Sequence, residues 1–199
     1  DKNSGGLSLD FQLSLPPFNY DLSHSGKNAS ADWSFFTCYN TEEAHSLLEV
    51  NASQNDKDYI LAINWKKAAE HAAKGDFECK NCKYAHNVYH EDTEQATSEI
   101  LNKVKLIDTR KYNDFLYLIP CPKSPHGVDV DPTGEYIVGN GKLSANLSVF
   151  SFTKIQEAIK NHKFTGKVEG INVIKYEDAL HGEVQSPGLG SLHTEFDAD

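Results

Sequence analysis

The stretch HGVDVDPTGEYIVGNGKLSANLSVFSF, residues 126–152, decides the fold. Apolar and polar residues alternate on either side of the D-P-T-G-E run at 131–135, the pattern of two antiparallel strands joined by a tight turn. Pro132 suits the start of that turn, and Gly134 supplies its positive-φ position. Beyond a loop through 141–145, a third run ending in VFSF reads as another strand. Ile155, Ala158 and Ile159 then fall at helical spacing, which predicts a short helix over 154–162. Three closely spaced antiparallel strands plus a connecting excursion make most of one propeller blade, a reading favoured over a sandwich. His193 is followed by TEFDAD much as His126 is followed by GVDVDP, so a second blade is expected to start there. The interval of 67 residues would hold one blade with a long outer loop.

Outward from this stretch, β-type runs recur at 33–39, 59–65, 104–108 and 115–121, each aromatic or aliphatic and bounded by polar turn formers. KKAAEHAAKG after Trp65 combines strong helix formers with a glycine stop, which predicts a short helix. Residues 1–32 are dominated by Gly, Ser and Asn, with a proline pair at 16–17, and are read as loop-rich. The fold class is therefore all-β: a β-propeller fragment with short helices in its loops.

Hydrophobic residues make up 39% of the chain, enough to bury a core and to exclude a disordered tail. The net charge of −10, from 19 basic and 29 acidic side chains, argues against nucleic acid, whose phosphates need clustered Lys and Arg. No apolar stretch approaches the roughly 18–20 residues of a membrane span. There is no Met and no signal-peptide pattern, and LHTEFDAD ends without a turn or cap. The sequence is accordingly read as an internal piece of a longer protein. Four cysteines are too few for a disulfide-dense scaffold, and Cys38 and Cys121, in apolar surroundings, are expected to be buried thiols.

Two histidines stand out. His126 sits in C-P-K-S-P-H-G, with proline before it and glycine after, so its aim is constrained. His193 lies in G-L-G-S-L-H-T, again punctuated by glycine. At equivalent starts of consecutive blades both would point at one spot on a propeller axis, which suits a metal. Spacing alone favours the plainer reading, two ordinary loop histidines bonded to backbone carbonyls.

Three blocks add a resemblance. IPCPKSPHGVDVDPTGEYIVGNGKLSANLSVF (119–150) resembles the segment of nitrous-oxide reductases that carries a cluster histidine in P-H-G and runs on to G-K-L-S. PGLGSLHTEFD (187–197) is similar to the family's G-L-G-P-L-H-T-x-F-D segment, which carries another. FTCYNTEEA (36–44) resembles the family's upstream Y-N-S/T-E block, and DYILAINW (58–65) follows it in the expected place. The blocks keep the family's order, and the likeness covers most of 33–197.

That resemblance implies two to three blades of a seven-bladed, N-terminal propeller across 1–199, with the family's C-terminal cupredoxin domain and its two-copper centre lying elsewhere. It implies that His126 and His193 are catalytic ligands of the four-copper sulfide cluster, held in the family by seven histidines, at which N2O is reduced to N2 and water in the last step of denitrification. It also implies a calcium ion, with Tyr39, Glu42 and Asp58 matching the family's oxygen ligands. Ser124 stands where the family commonly has a calcium-side Asn, and Ser191 replaces a proline. A periplasmic location, a homodimer and an electron donor such as a small cytochrome or cupredoxin are further implications. The alternative is a non-enzymatic propeller that binds a protein partner on its rim.

One motif lies outside these blocks. Cys79, Cys82, His86 and His90 form C-x2-C-x3-H-x3-H, the right ligand types for tetrahedral zinc. The gap between the pairs is shorter than in a zinc finger, and Lys83 rules out the C-x-x-C-H of haem attachment. A disulfide, a free thiol pair or no function are the other readings.

Overall fold

The computed structural model describes residues 10–16, 18–40, 57–77, 105–186 and 188–197, apart from the side chains of Tyr39, Asn40 and Lys57. Its strands are, in chain order, β1 (Phe11–Ser14), β2 (Asn19–Ser25), β3 (Trp33–Asn40), β4 (Lys57–Asn64), β5 (Lys105–Asp108), β6 (Leu116–Pro122), β7 (Pro125–Val130), β8 (Tyr136–Gly141), β9 (Asn146–Ser151), β10 (Phe164–Val168), β11 (Ile171–Ile174) and β12 (Leu180–Gln185). Among the described residues they are punctuated by the α-helices α1 (Trp65–Lys74), α2 (Phe152–Lys160) and α3 (Tyr176–Ala179). The fold is all-β.

Two compact units divide the chain. The smaller comprises Asp1–Pro16 and Lys66–Asn113. In it β1 pairs parallel with β5, and Ser14 Oγ donates to the Ile107 carbonyl at 3.2 Å. The Arg110 guanidinium, bonded to the Asp108 carboxylate at 2.8 and 2.5 Å, holds that carboxyl below its ordinary pKa against the opposing effect of burial. In α1, Ala68 and Ala72, one turn apart, are the buried face, and Gly75 at φ +88° ends the helix.

The larger unit carries the two main sheets. One has six strands in the order β10-β11-β6-β4-β3-β2 and is antiparallel except where β11 meets β6. The other is an antiparallel four-stranded sheet in the order β12-β9-β8-β7. Period-two alternation puts Trp33 and Phe35, Ile60 and Ala62, and Ile119 and Cys121 on the six-stranded sheet's inner face. They meet Val128, Val130, Ile137 and Phe150 from the four-stranded sheet. Phe152, Ile155 and Ala158 of α2 complete the same core. Each large aliphatic or aromatic side chain buried there contributes about 1.5–3 kcal/mol relative to exposure. Cys38 and Cys121 are buried thiols outside any disulfide, as their surroundings predict.

The hairpin at 126–141 forms as read, with β9 and α2 following. Ser151 caps α2, accepting from Lys154 N at 3.2 Å. Two expectations fail. Residues 1–32 hold β1 and β2 rather than loop alone. The strand expected from His193 does not form: residues 191–197 have no regular structure. A strand needs a neighbour's ladder, whereas here the Thr194 amide donates to a side chain, Asp129 Oδ2, at 2.7 Å.

Asp131 organises the β7–β8 turn. Its carboxylate accepts from Thr133 N at 3.1 Å, Thr133 Oγ1 at 2.6 Å and Tyr136 N at 2.8 Å. Burial works to raise its pKa, but these hydrogen bonds, with one from the Glu135 amide, outweigh it and hold the carboxyl below its ordinary value. Asp131→Ala is therefore expected to cost about 1–3 kcal/mol near neutral pH, since it strands three donors. The stabilisation is complete above the unfolded carboxyl pKa of about 3.9 and lost as pH falls through the lower native value. Denaturant unfolding of both proteins from pH 7 to pH 2 checks this; a gap that stays constant with pH would refute it.

Candidate functional site

The larger unit brings together the edge strands of its two sheets, β2 and β7, and His126 lies on that seam as the second residue of β7. Thr37 Oγ1 donates to the His126 carbonyl at 2.8 Å while accepting from Leu22 N at 3.1 Å, so the strand carrying His126 is tied to both β3 and β2. On the other side, Lys27 Nζ donates to the Val130 carbonyl at 2.8 Å. The ring itself is aimed by β2: His126 Nδ1 lies 2.5 Å from Asp21 Oδ2. Two lone pairs cannot approach so closely, so a proton sits between them. With the carboxylate ionised and the ring neutral, Nδ1–H donates and Nε2 is left as the electron-pair nitrogen. Lys142 Nζ, 3.7 Å from the same carboxylate oxygen, adds a compensating charge.

His193 arrives from the irregular segment after β12. Its ring centroid lies 5.2 Å from that of His126, with the planes 67° apart. Two imidazoles 67 positions apart in sequence thus share one spot. Gly127 is what permits it. A Cβ there would stand 2.1 Å from the Leu192 carbonyl oxygen and 3.0 Å from His193 Nδ1. Only hydrogen fits between the strand and the 192–193 backbone.

A third imidazole and a carboxylate adjoin the pair. His24, on β2, accepts from Val130 N at 3.2 Å through Nδ1. Asp129 Oδ1 lies 3.7 Å from that nitrogen and 3.6 Å from His193 Nδ1. The sequence reading missed Asp21 and His24 because they fall in a stretch read as loop. The alternation of half-buried Tyr20, Leu22 and His24 is the signal that marks the strand.

The calcium candidates are only partly described. Asp58, on β4, is buried, and its Oδ2 accepts from Ser124 N at 2.7 Å. Ser124 is itself buried at φ +55°, and its carbonyl accepts from Lys142 N at 2.9 Å. These two candidates therefore meet, the Ser124 N–H donating to the Asp58 carboxylate. Glu42 and the Tyr39 side chain lie outside the described residues, as do Cys79, Cys82, His86 and His90. Among the described residues no group of three or more His, Cys, Asp or Glu side chains is arranged to hold a metal ion, and no helix is long and apolar enough to cross a membrane.

Gly127→Ala is expected to destabilise the protein by about 1–3 kcal/mol and to push the 192–193 backbone off β7. Denaturant unfolding and the proton cross-relaxation between the two imidazoles test this. Unchanged stability with the cross-peak retained would remove the close approach from the account.

No family model matches the chain. A nitrous-oxide reductase of Pseudomonas fluorescens is 27% identical over 185 residues, covering 90% of this chain and 23% of the relative. One of Stutzerimonas stutzeri is 28% identical over 183 residues, with the same coverage of each. One of Cupriavidus necator is 38% identical over 79 residues, 40% of this chain and 11% of the relative. Among solved structures, hydrazine synthase of Kuenenia stuttgartiensis aligns with a TM-score of 0.43 and 11% identity, over 86% of this chain and 37% of that one. Along nine-tenths of its length the chain is similar to these first two nitrous-oxide reductases, and it spans about a quarter of their length.

Proposed function

We propose that this chain forms part of the copper-bearing β-propeller of a nitrous-oxide reductase, and that His126 and His193 are two of the ligands of its copper–sulfide cluster. The observation that carries the reading is the meeting of the two imidazoles at 5.2 Å, with the Nδ1–H of one spent on Asp21. An imidazole so oriented offers Nε2 to a metal, and the carboxylate behind it raises the basicity of that nitrogen. Neutral imidazoles are suitable donors for copper, so the residues fit the group. A partner-binding rim would need an exposed apolar or charged patch and gives no reason for a carboxylate-backed histidine pair.

The propeller reading is supported by the four-stranded antiparallel sheet β7–β8–β9–β12, in which three strands follow one another and the fourth returns after an excursion through α2, β10, β11 and α3. When bound, the four-copper sulfide cluster supplies the two electrons that, with two protons, turn N2O into N2 and water. This chain's own part is to hold two imidazoles at fixed separation through Gly127, Thr37 and Asp21. Asp58 and Ser124 are the calcium candidates whose side chains lie among the described residues. For the whole protein we propose a periplasmic homodimer, fed by a small cytochrome or cupredoxin through a two-copper centre on the partner subunit.

In the full-length protein, His126→Ala and His193→Ala are each expected to lower cluster copper, read by metal analysis, and to abolish N2O reduction. Full copper occupancy with normal turnover in either variant would sink the ligand assignment.

A further inference from the structure

The segment carrying His193 has no sheet ladder, yet its backbone is held by a buried polar pair. Asp129, on β7, and Asn140, on β8, are both buried, Asn140 completely. Asn140 Nδ2 donates to Asp129 Oδ2 at 3.1 Å. The same oxygen accepts from Thr194 N at 2.7 Å. The amide oxygen of Asn140 accepts from Thr194 Oγ1 at 3.1 Å and from Ser191 Oγ at 3.4 Å. This arrangement fixes the amide's orientation: flipped, its oxygen would face a carboxylate and its NH2 group would face two hydroxyls. Two strand residues thus grip the 191–194 segment on both sides of His193, and Gly190 N, donating to the Lys142 carbonyl at 2.9 Å, anchors its start.

The second carboxylate oxygen then faces two imidazoles, His193 Nδ1 at 3.6 Å and His24 Nδ1 at 3.7 Å. His24 Nδ1 already accepts from Val130 N, so it presents a lone pair and cannot neutralise the carboxylate. His193 can. At 3.6 Å the contact is too long for a hydrogen bond and the His193 side chain is 49% exposed, but an N–H dipole facing the largely buried Asp129 anion is still favoured over a lone pair facing it.

We propose that Asp129, braced by Asn140, is a positioning residue for His193: it seats the ring through Thr194 and keeps the ring proton on Nδ1, so that Nε2 is the nitrogen offered to a ligand. The meaning for copper rests on the function proposed above; the positioning itself does not. Both histidines would then present the same nitrogen, each backed by a carboxylate from a different strand, Asp21 on β2 and Asp129 on β7.

The test is 15N spectroscopy of the histidine rings in the metal-free 199-residue chain, in the alkaline range where an imidazole is neutral. The expected result is His193 mainly as the Nδ1–H tautomer. Asp129→Asn keeps an oxygen for Thr194 N but removes the charge, and should shift His193 toward Nε2–H while leaving Thr194 amide exchange slow. Asp129→Leu should also speed Thr194 exchange, by about tenfold or more, as the segment opens locally. A predominantly Nε2–H ring in the unsubstituted chain overturns the proposal even if a variant fails to fold. So does an Asp129→Asn protein whose tautomer is unchanged. Because no readout involves copper, failure of the cluster assignment would show separately, in the metal content of the full-length protein.

Discussion

The inner faces of two sheets, pressed together over Phe35, Ile60, Ile137 and Phe150, are the constraint on which the rest depends. Each of those side chains is fully buried. A slip of one residue in β3 or β8 would turn its apolar set outward, so register is held by burial and not by the ladder bonds alone. Fixed register then determines which residues reach the seam between β2 and β7. His126 and Asp21 meet because the core dictates how their strands lie.

The site is assembled on that frame from contacts of a different kind. Along the seam, polar groups substitute for the ladder that β2 and β7 do not share: a threonine hydroxyl, a lysine ammonium and a histidine nitrogen each take up a backbone group of β7. Such bonds contribute individually about 1 kcal/mol. Their value lies in direction. A hydrophobic contact holds two strands together, whereas a hydrogen bond also determines which way a ring is turned.

What the sequence makes legible follows from the same division. The hairpin at 126–141 is readable because alternation, proline and glycine all agree on it, and α2 because Ile155 and Ala158 keep helical spacing. β2 is not readable in the same way: its alternation is carried by Tyr20, Leu22 and His24, which are only half buried, among serines and asparagines that mimic loop. The segment at His193 misleads for the opposite reason, since apolar residues at 192 and 196 look like a strand in the absence of any partner to pair with. The histidine pair could be named from its motifs, but Asp129 and Asn140 could not. Their role arises from proximity across sixty residues of chain, and a buried carboxylate on a strand reads as nothing until the segment it grips is in place.

Cys38 and Cys121 are both fully shielded from solvent, and burial pushes the Cys38 thiol well above its usual range, with the nearby Asp58 charge adding to the effect. A thiol that is neither reachable nor ionised is inert in the native protein. With Cys79 and Cys82 replaced, the two become silent clocks inside the sheet interior. The pace at which a disulfide reagent consumes Cys121, the one of the two that lies between the sheets, would report how often the packed faces separate, a timescale that no equilibrium melt of this chain can supply.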